Sequence, residues 1–351
     1  ATSGTLSATF SITAIAGTSA LSQNFTTASQ TVGNNIPLEI CLKDGFDNPG
    51  SGTVLWSLLE PLPAAASLSA TSTPIDLQTG SASVVLTIGT KTGDYMVKAQ
   101  VNGHTATFTI TSDAGVVTEM LKGYTASTAA VNTTLPLTIG LYDSYGNPVS
   151  ANVDWQAQGL ATTSTQTING TATLEWTLGT HTGIYEITAS YEGRIATFTI
   201  TAAPGTPTIS QNLSNGSGTV AKNITLEVSL RDGFGNPCPG TITWSLIEPL
   251  PAAASFSAVS TPIDLQTGSA SVVLTIGTKT GDYLVMAQVA NYAATFTINA
   301  MPSGNLDTNT ISGTSTGAAI AGGTMTFTIS LYDEYGNAVQ NGSVDWTVTR
   351  G

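Results

Sequence analysis

Four aspartates at similar intervals are the residues of this sequence best suited to chemistry. Each opens a short turn-forming segment that ends in Asn followed by Pro or Ala, and the four lie at Asp44, Asp143, Asp232 and Asp333. Clusters of such carboxylates bind Ca²⁺ in proteins, and a calcium site at a domain junction would stiffen that junction. An Asp side chain also accepts hydrogen bonds from the N–H groups of its own turn. The sequence therefore leaves two interpretations open, a calcium site or a set of turn caps.

The remaining reactive side chains do not form a catalytic pattern. His104 and His181 occupy different positions in their repeats, and neither stands beside a nucleophile motif or at metal-ligand spacing. We therefore expect a protein that is not an enzyme and has no cofactor apart from the calcium considered above.

The two cysteines, Cys41 and Cys238, also lie at positions that do not correspond. Two cysteines are too few for a disulfide framework. They are either free thiols or partners in a disulfide between neighbouring chains.

Seven Asn-x-Ser/Thr motifs make this chain a candidate glycoprotein. The acceptor residues are Asn24, Asn132, Asn169, Asn212, Asn215, Asn223 and Asn341.

Strands must position the four aspartates. An alternating apolar segment leads into each aspartate, as at Leu38, Ile40 and Leu42, which is typical of a half-buried strand. Asp, Gly, Asn and Pro then form a turn, and a second strand carries an aromatic residue that we expect in the core. The predicted core aromatics are Trp56, Trp155, Trp244, Trp346, Tyr95, Tyr185 and Tyr283.

The aspartates recur at intervals of 99, 89 and 101 residues, so whole domains repeat. Residues 57–100 and 245–288 differ at only five positions, whereas the second and fourth copies resemble each other, so two domain types, A and B, alternate. The predicted domains are A at 16–112, B at 113–203, A at 204–300 and an incomplete B at 301–351. Residues 1–15 match the last strand of a B domain and are assigned to a preceding domain or to a domain of a neighbouring chain. We expect Trp346 to be open to water unless a second chain completes the last copy.

Composition excludes several classes of protein. Only 9% of the 351 residues are charged and the net charge is −13, so a phosphate backbone would repel the chain and nucleic-acid binding is not expected. The sequence contains no apolar run of 18 residues, so no membrane span is predicted in this segment. A neutral surface rich in Thr, Ser and Asn is typical of extracellular proteins.

The motifs resemble bacterial immunoglobulin-like repeats of the invasin and intimin type. In the third repeat these motifs are residues 232–237 (Asp-Gly-Phe-Gly-Asn-Pro), 267–270 (Thr-Gly-Ser-Ala) and 280–283 (Thr-Gly-Asp-Tyr). Departures are the contracted spacing at residue 267, the Trp in the core, Asp47 in place of Gly, and Ala338 in place of Pro. The resemblance covers nearly all of the chain and implies tandem β-sandwiches in stalks of surface adhesins.

We therefore expect an all-β chain of tandem immunoglobulin-like sandwiches in an extended rod, because short linkers favour a stiff array. The predicted function is an extracellular, cell-surface stalk or fibre segment that contacts further repeats or other copies of itself. One alternative is a filament subunit in which residues 1–15 complete the 301–351 half domain of a neighbour. Another is an adhesin module that binds a host or surface receptor or glycan through loops such as residues 61–67.

Overall fold

The computed structural model describes residues 1–15, 17–59, 65–123, 125–157, 161–247, 254–307, 312–313 and 317–349. Within these ranges the regular secondary structure is β-strand, with no α-helix, which confirms the predicted all-β class. The chain divides into two compact units. The first comprises Ala1–Ala126, Leu135–Trp176 and Tyr185–Thr199, and the second comprises Ser127–Thr134, Thr177–Ile184 and Ile200–Gly351. The domain ranges predicted above stay a prediction.

The first fifteen residues contain only a two-residue hairpin, in which β1 (Thr2–Ser3) pairs with β2 (Leu6–Ser7). Residues 8–15 belong to no strand, and Phe10 and Ile12 are 76% and 91% exposed. The single strand expected at 1–15 is thus not formed here. A strand needs a neighbouring strand to satisfy its backbone groups and cover its apolar face, and residues 9–15 pair with none in the described part of the chain.

Sandwich 1, residues 19–113 of the first unit, consists of two facing sheets. Its strands are β3 (Ser19–Gln23), β4 (Thr27–Thr31), β5 (Asn35–Asp44), β6 (Thr53–Leu58), β7 (Ser67–Leu68), β8 (Ser72–Pro74), β9 (Ser81–Thr87), β10 (Gly93–Val101) and β11 (His104–Asp113). One sheet has the order β3-β5-β9-β7 and the other β4-β11-β10-β6-β8. All pairs are antiparallel except β4 with β11, the first and last strands of the second sheet along the chain, which are parallel.

The period-2 pattern explains why these segments form strands. Along β5, Leu38, Ile40 and Leu42 are fully buried, whereas the residues between them are more exposed. Alternate side chains of a strand point to opposite faces, so one face of β5 contributes to the core and the other contacts solvent.

Sandwich 2, residues 119–203, contributes strands to both units. They are β12 (Glu119–Lys122), β13 (Thr128–Ala130), β14 (Thr134–Tyr142), β15 (Asn152–Ala157), β16 (Thr163–Gln166), β17 (Thr171–Thr177), β18 (Gly183–Tyr191) and β19 (Arg194–Ala203). In the first unit, β12, β14 and β17 form one sheet, and β15 pairs with β16 and β18. In the second unit, β13 pairs in parallel with the end of β19.

Sandwich 3, residues 207–301 of the second unit, repeats the plan of sandwich 1. Its strands are β20 (Pro207–Gln211), β21 (Asn215–Thr219), β22 (Asn223–Asp232), β23 (Thr241–Leu246), β24 (Ser255–Phe256), β25 (Ser260–Pro262), β26 (Ser269–Thr275), β27 (Gly281–Val289) and β28 (Tyr292–Met301). The two sheets have the orders β20-β22-β26-β24 and β21-β28-β27-β23-β25. The same sequence pattern therefore gives the same topology twice.

One tryptophan of each sandwich occupies an equivalent position. Trp56, Trp155 and Trp244 are 3%, 1% and 3% exposed, and each lies about 6 Å from a phenylalanine ring. Each indole N–H donates to a threonine hydroxyl on the adjacent strand at 2.7–2.9 Å. Such an acceptor offsets the cost of burying an indole N–H, so the threonine stabilises the buried tryptophan.

Segment 4, the described residues of 302–349, contains only the short pair β29 (Ser312–Gly313) and β30 (Ile329–Ser330). Trp346 is 60% exposed there, so its assignment to a core does not hold in this structure. Its ring centroid lies 6.1 Å from that of Phe327. Trp56, Trp155 and Trp244 each lie in a strand of a five-stranded sheet and pack against a phenylalanine, and the described part of segment 4 supplies no such sheet.

Candidate functional site: the joint at the aspartate turns

The four aspartate segments form the same turn. In the first, Oδ1 of Asp44 accepts the backbone N–H groups of Phe46 and Asn48, both at 2.9 Å. Oδ2 accepts the backbone N–H of Gly17, near the start of the sandwich, at 2.7 Å. The three other copies repeat these donors at 2.8–3.0 Å. Each aspartate therefore connects its turn to the segment that enters its own repeat.

This geometry is the one expected for turn capping, and calcium binding at the four aspartates stays a prediction. Both oxygens of each carboxylate face N–H hydrogens, which a cation would have to displace. Ca²⁺ takes six to eight oxygen ligands. Within the described ranges, no three side chains of His, Cys, Asp or Glu come together as a metal-binding group.

The two departures from the family pattern leave the turn intact. Asp47 has a φ of 69°, in the left-handed region that Gly146, Gly235 and Gly336 occupy in the other copies. Asp is among the few residues other than glycine that adopt this region readily. Ala338, in place of proline, still forms a β-bridge to the residue just before the aspartate, Tyr332, as the three prolines do in their turns.

The asparagine at the end of the turn reaches a loop of the preceding repeat. In the first unit, Nδ2 of Asn147 donates to the carbonyl of Thr90 at 2.9 Å, and its Oδ1 accepts the N–H of Thr92 at 3.4 Å. Nδ2 also donates to Asp143 at 2.8 Å. One amide group thus connects the turn of sandwich 2 to the loop between β9 and β10 of sandwich 1.

The second unit contains this arrangement twice. Asn236 donates to the carbonyl of Thr180 at 2.8 Å and accepts the N–H of Thr182 at 3.2 Å. Asn337 forms the corresponding bonds with the loop of sandwich 3 at 2.9 and 3.2 Å. We call this arrangement the amide joint: the asparagine that ends an aspartate turn, bonded at both ends of its amide to the Gly-Thr-x-Thr-Gly loop of the preceding repeat. The three loops are residues 89–93, 179–183 and 277–281.

The joints are buried, and their polar groups are paired. Asn147, Asn236 and Asn337 are 2%, 7% and 6% exposed. A buried primary amide is stable only when its donors and acceptor have partners. The turn and the loop supply those partners, so each asparagine depends on both of the repeats that it joins.

Core tyrosines hold two of the loops in place. Tyr95 and Tyr283 are buried, and their hydroxyls donate to the carbonyls of Lys91 and Lys279 at 2.8 and 2.9 Å. Burial raises the pKa of Tyr95, against the lowering effect of its backbone hydrogen bonds. Tyr185, the equivalent residue of sandwich 2, is half-buried. The predicted tyrosine positions are therefore close to the joint as well as to the core.

The asparagines and the threonine loops are the functional residues that sequence reasoning missed. The turn was predicted, but the partner of its last residue was not. A signal was present in the chain: the Gly-Thr-x-Thr-Gly loop recurs three times, and its first Thr precedes the bonded Asn by 57, 56 and 59 residues.

The hydrogen bonds of the turn keep its aspartates ionised. For Asp44, bonds from Asn48 and Gly17 lower the carboxyl pKa, and burial opposes them. For Asp232, burial raises the pKa, but the bonds from Asn236, Gly205 and Phe234 outweigh it and lower the pKa to about 2. The pKa values of Asp143 and Asp333 are also lowered, for the same reasons.

The cysteines are poorly placed for a disulfide between chains. Cys238 is 3% exposed and its thiol lies 3.7 Å from the carbonyl of Asn236. Burial, together with the charge of Asp232, raises its thiol pKa. Cys41 is half-buried and is also a free thiol. A crosslink would require Cys238 to leave the core of sandwich 3, so the geometry favours two free thiols.

Each of the seven glycosylation candidates has an exposed asparagine. They lie in turns or at strand ends. Asn24 and Asn212 already bond through their amides to neighbouring backbone, and Asn132, Asn169 and Asn341 have positive φ.

The loops named as receptor contacts, residues 61–67, lie mostly outside the described residues. In the part of the chain that the structure describes, no helix is long and apolar enough to cross a membrane.

The fold has counterparts among solved structures. The Escherichia coli adhesin FdeC matches with a TM-score of 0.54 at 21% sequence identity, over 82% of this chain and 99% of that chain. Yersinia pseudotuberculosis InvD matches at 0.44 and 18%, over 80% and 84%, and the bacterial integrin-binding protein invasin at 0.43 and 17%, over 81% and 60%. No family model and no curated protein matches the sequence. The predicted resemblance is thus confirmed at the level of the fold, and the chain has the tandem immunoglobulin-like sandwich architecture of FdeC.

Proposed function

We propose that this chain is a structural spacer segment of an extracellular, cell-surface protein. The observation that carries the proposal is the amide joint, which recurs three times with the same two hydrogen bonds. A binding or catalytic module needs one special site, whereas a spacer needs the same connection at every junction. The low charge of the surface and the fold shared with an adhesin support the same proposal.

The mechanism of a spacer is resistance to bending and extension. In each joint, the aspartate fixes the entering segment and the asparagine fixes the loop of the repeat before it. A linker without such bonds would let neighbouring repeats move as independent domains. We propose that further repeats, or other copies of the chain, continue the array, and that the domain ranges are the five predicted from the sequence.

Measurement of flexibility tests this function. Small-angle X-ray scattering of the purified chain is expected to give one extended particle, and replacing Asn147, Asn236 and Asn337 together by alanine is expected to broaden its distance distribution. A wild-type chain that is as flexible as the triple variant would contradict the spacer function. Circular dichroism of both chains confirms that the sandwiches stay folded.

A filament subunit is the second candidate function, and exposed apolar side chains favour it. Phe10, Ile12 and Ile15 are 76–91% exposed, and Trp346 and Phe327 are 60% and 52% exposed. If residues 1–15 of one chain joined segment 4 of another, both surfaces would be covered by strand addition. Against this arrangement, the counterpart of residues 162–188 would still be absent from the completed sandwich.

Electron microscopy separates the two functions. Long threads formed by the full chain, but not by a chain lacking residues 1–15, would support strand donation. Short particles from both chains would support the spacer.

An adhesin module that binds a receptor or glycan is a third proposal, supported by the fold that the chain shares with the adhesin FdeC, and glycan-array binding by the full chain would test it.

We also propose that the seven exposed asparagines are glycosylated, as on the surfaces of other extracellular proteins. The intact mass of the protein purified from its native source tests it, because each attached glycan adds mass in discrete steps. A mass equal to that of the bare polypeptide would exclude it.

A further inference from the structure

In the aspartate turn of sandwich 1, the last asparagine, Asn48, is exposed to solvent. Its internal bonds match those of the other turns, since Nδ2 of Asn48 donates to Asp44 at 3.0 and 3.2 Å. Among the described residues, however, no loop meets this amide. Asn48 is exposed, whereas the three equivalent asparagines are between 2% and 7% exposed.

The aromatic residue of the same turn shows the same difference. Phe46 is 88% exposed, whereas Tyr145 and Phe234 at the equivalent positions are 45% and 49% exposed. Tyr145 lies over Gly33 of sandwich 1, so closely that a Cβ atom there would come within 3.0 Å of its hydroxyl. Tyr145 is therefore partly covered by the repeat that its joint contacts, whereas Phe46 is almost fully exposed among the described residues.

We propose that the turn from Asp44 to Asn48 is a docking surface for the Gly-Thr-x-Thr-Gly loop of another sandwich of the same type as sandwich 2. The loop would place one carbonyl on Nδ2 of Asn48 and one N–H on its Oδ1, and would cover Phe46. The inference rests on the proposed spacer function, because it extends the amide joint to a fourth position.

The near identity of sandwiches 1 and 3 identifies the partner. The two differ at five positions between residues 57–100 and 245–288, and both turns are Asp-Gly-Phe-x-Asn-Pro. In sandwich 3 the occupant of this turn is the loop of residues 179–183, which belongs to sandwich 2. Residues 9–14 (Thr-Phe-Ser-Ile-Thr-Ala) also match residues 197–202, the last strand of sandwich 2. Both observations select the same kind of domain.

The entering segments of the two sandwiches are equivalent as well. Gly17 donates to Asp44 at 2.7 Å as Gly205 donates to Asp232 at 2.8 Å. A sandwich joined ahead of residue 16 with the spacing found at residue 204 would therefore bring its loop to Asn48. No rearrangement of the turn is required, because the bonds from Asn48 to Asp44 are already those of an occupied joint.

The test uses the full chain extended by one repeat, with a copy of residues 113–203 replacing residues 1–15. Native-state hydrogen exchange is followed at the added copy of Thr182, whose N–H would bond to Asn48. We expect this amide to exchange about tenfold or more slowly than in the same chain carrying Asn48→Ala, because the bond must open before exchange. Phe46→Ser, a change at a side chain exposed in the present chain, is expected to accelerate exchange at the same amide.

Asn236→Ala is the matched control, since it acts on the original Thr182 within the same molecule. Suppose that Asn236→Ala accelerates exchange at the original Thr182 but Asn48→Ala does not change the exchange rate at the added copy. The proposed docking surface is then wrong, whereas the amide joint is supported. If neither substitution changes exchange, the joint itself fails and the inference fails with it. Circular dichroism and the unchanged exchange of core amides in sandwich 1 verify that each variant is folded.

Discussion

The side-chain nitrogen of Asn147 lies 2.9 Å from the carbonyl oxygen of Thr90, a residue 57 positions earlier in the chain. The two residues belong to different sandwiches of the first unit, and equivalent pairs occur twice in the second unit. The chain therefore repeats a connection as well as a domain.

Removing the amide of Asn147 should loosen the joint. In Asn147→Ala, the Thr92 amide loses its acceptor and Thr90 loses its donor, so we expect the local opening free energy at Thr92 to fall by about 1–2 kcal/mol, from two hydrogen bonds. Hydrogen exchange at Thr92 measures it. The matched control is Asn48→Ala, which removes only the bonds within a turn. Equal exchange at Thr92 in both variants would show that Asn147 stabilises its turn alone.

Acid should destabilise the turns. The folded-state pKa of Asp232 is lowered, despite burial, to about 2 from 3.8. A lowered pKa means that the stabilisation is present above about pH 4 and is lost as the pH falls towards 2. We expect the urea midpoint of the chain to decrease over this window. In Asp232→Asn, the contribution of this carboxylate disappears, so the decrease should be smaller; an identical pH profile would argue that this aspartate is not involved.

Sandwich 2 should unfold before its neighbours under tension. The parallel pair formed by the second and last strands of each sandwich spans five residues in sandwiches 1 and 3 (β4 with β11, β21 with β28) but three in sandwich 2 (β13 with β19). Force applied along the chain shears these terminal pairs, and forced unfolding is governed by the barrier to breaking them. Single-molecule pulling of the full chain should give one weaker event of about ninety residues and two stronger ones. A single force population would contradict this order.

The hydrogen bond from Trp56 to Thr73 should contribute measurably to sandwich 1. Thr73→Val keeps the shape but removes the acceptor of a buried indole N–H at 2.8 Å. We expect the free energy of unfolding to fall by about 1–3 kcal/mol, the cost of an unpaired buried donor. Urea denaturation measures it. Thr73→Ser retains the hydroxyl and is the control; if it destabilises the sandwich as much as valine does, lost packing and not the hydrogen bond is responsible.

The sequence determined the fold class and the repeat. Period-2 patterns such as Leu38, Ile40 and Leu42 select strands because alternate side chains of a strand share a face. The turn residues from Asp44 to Asn48 select a tight reversal because Asp bonds its own backbone. These are local effects, with all partners within a few positions, so they can be predicted from one repeat.

Tertiary structure decided the partners of the turn. Whether Asp44 caps N–H groups or binds a cation depends on which groups surround it, and Gly17 is 27 residues away. Exposure of Trp346 likewise depends on the strands that lie over it, since the same Val-Asp-Trp motif surrounds the buried Trp155.

The amide joint is the feature that is hardest to predict from the sequence, because Asn147 and Thr90 come into contact only when two folded sandwiches pack together. A side-chain amide carries two donors and an acceptor wherever it occurs. The sequence specifies this hydrogen-bonding capacity. The partner that the amide finds depends on distances between domains, which no local sequence pattern encodes.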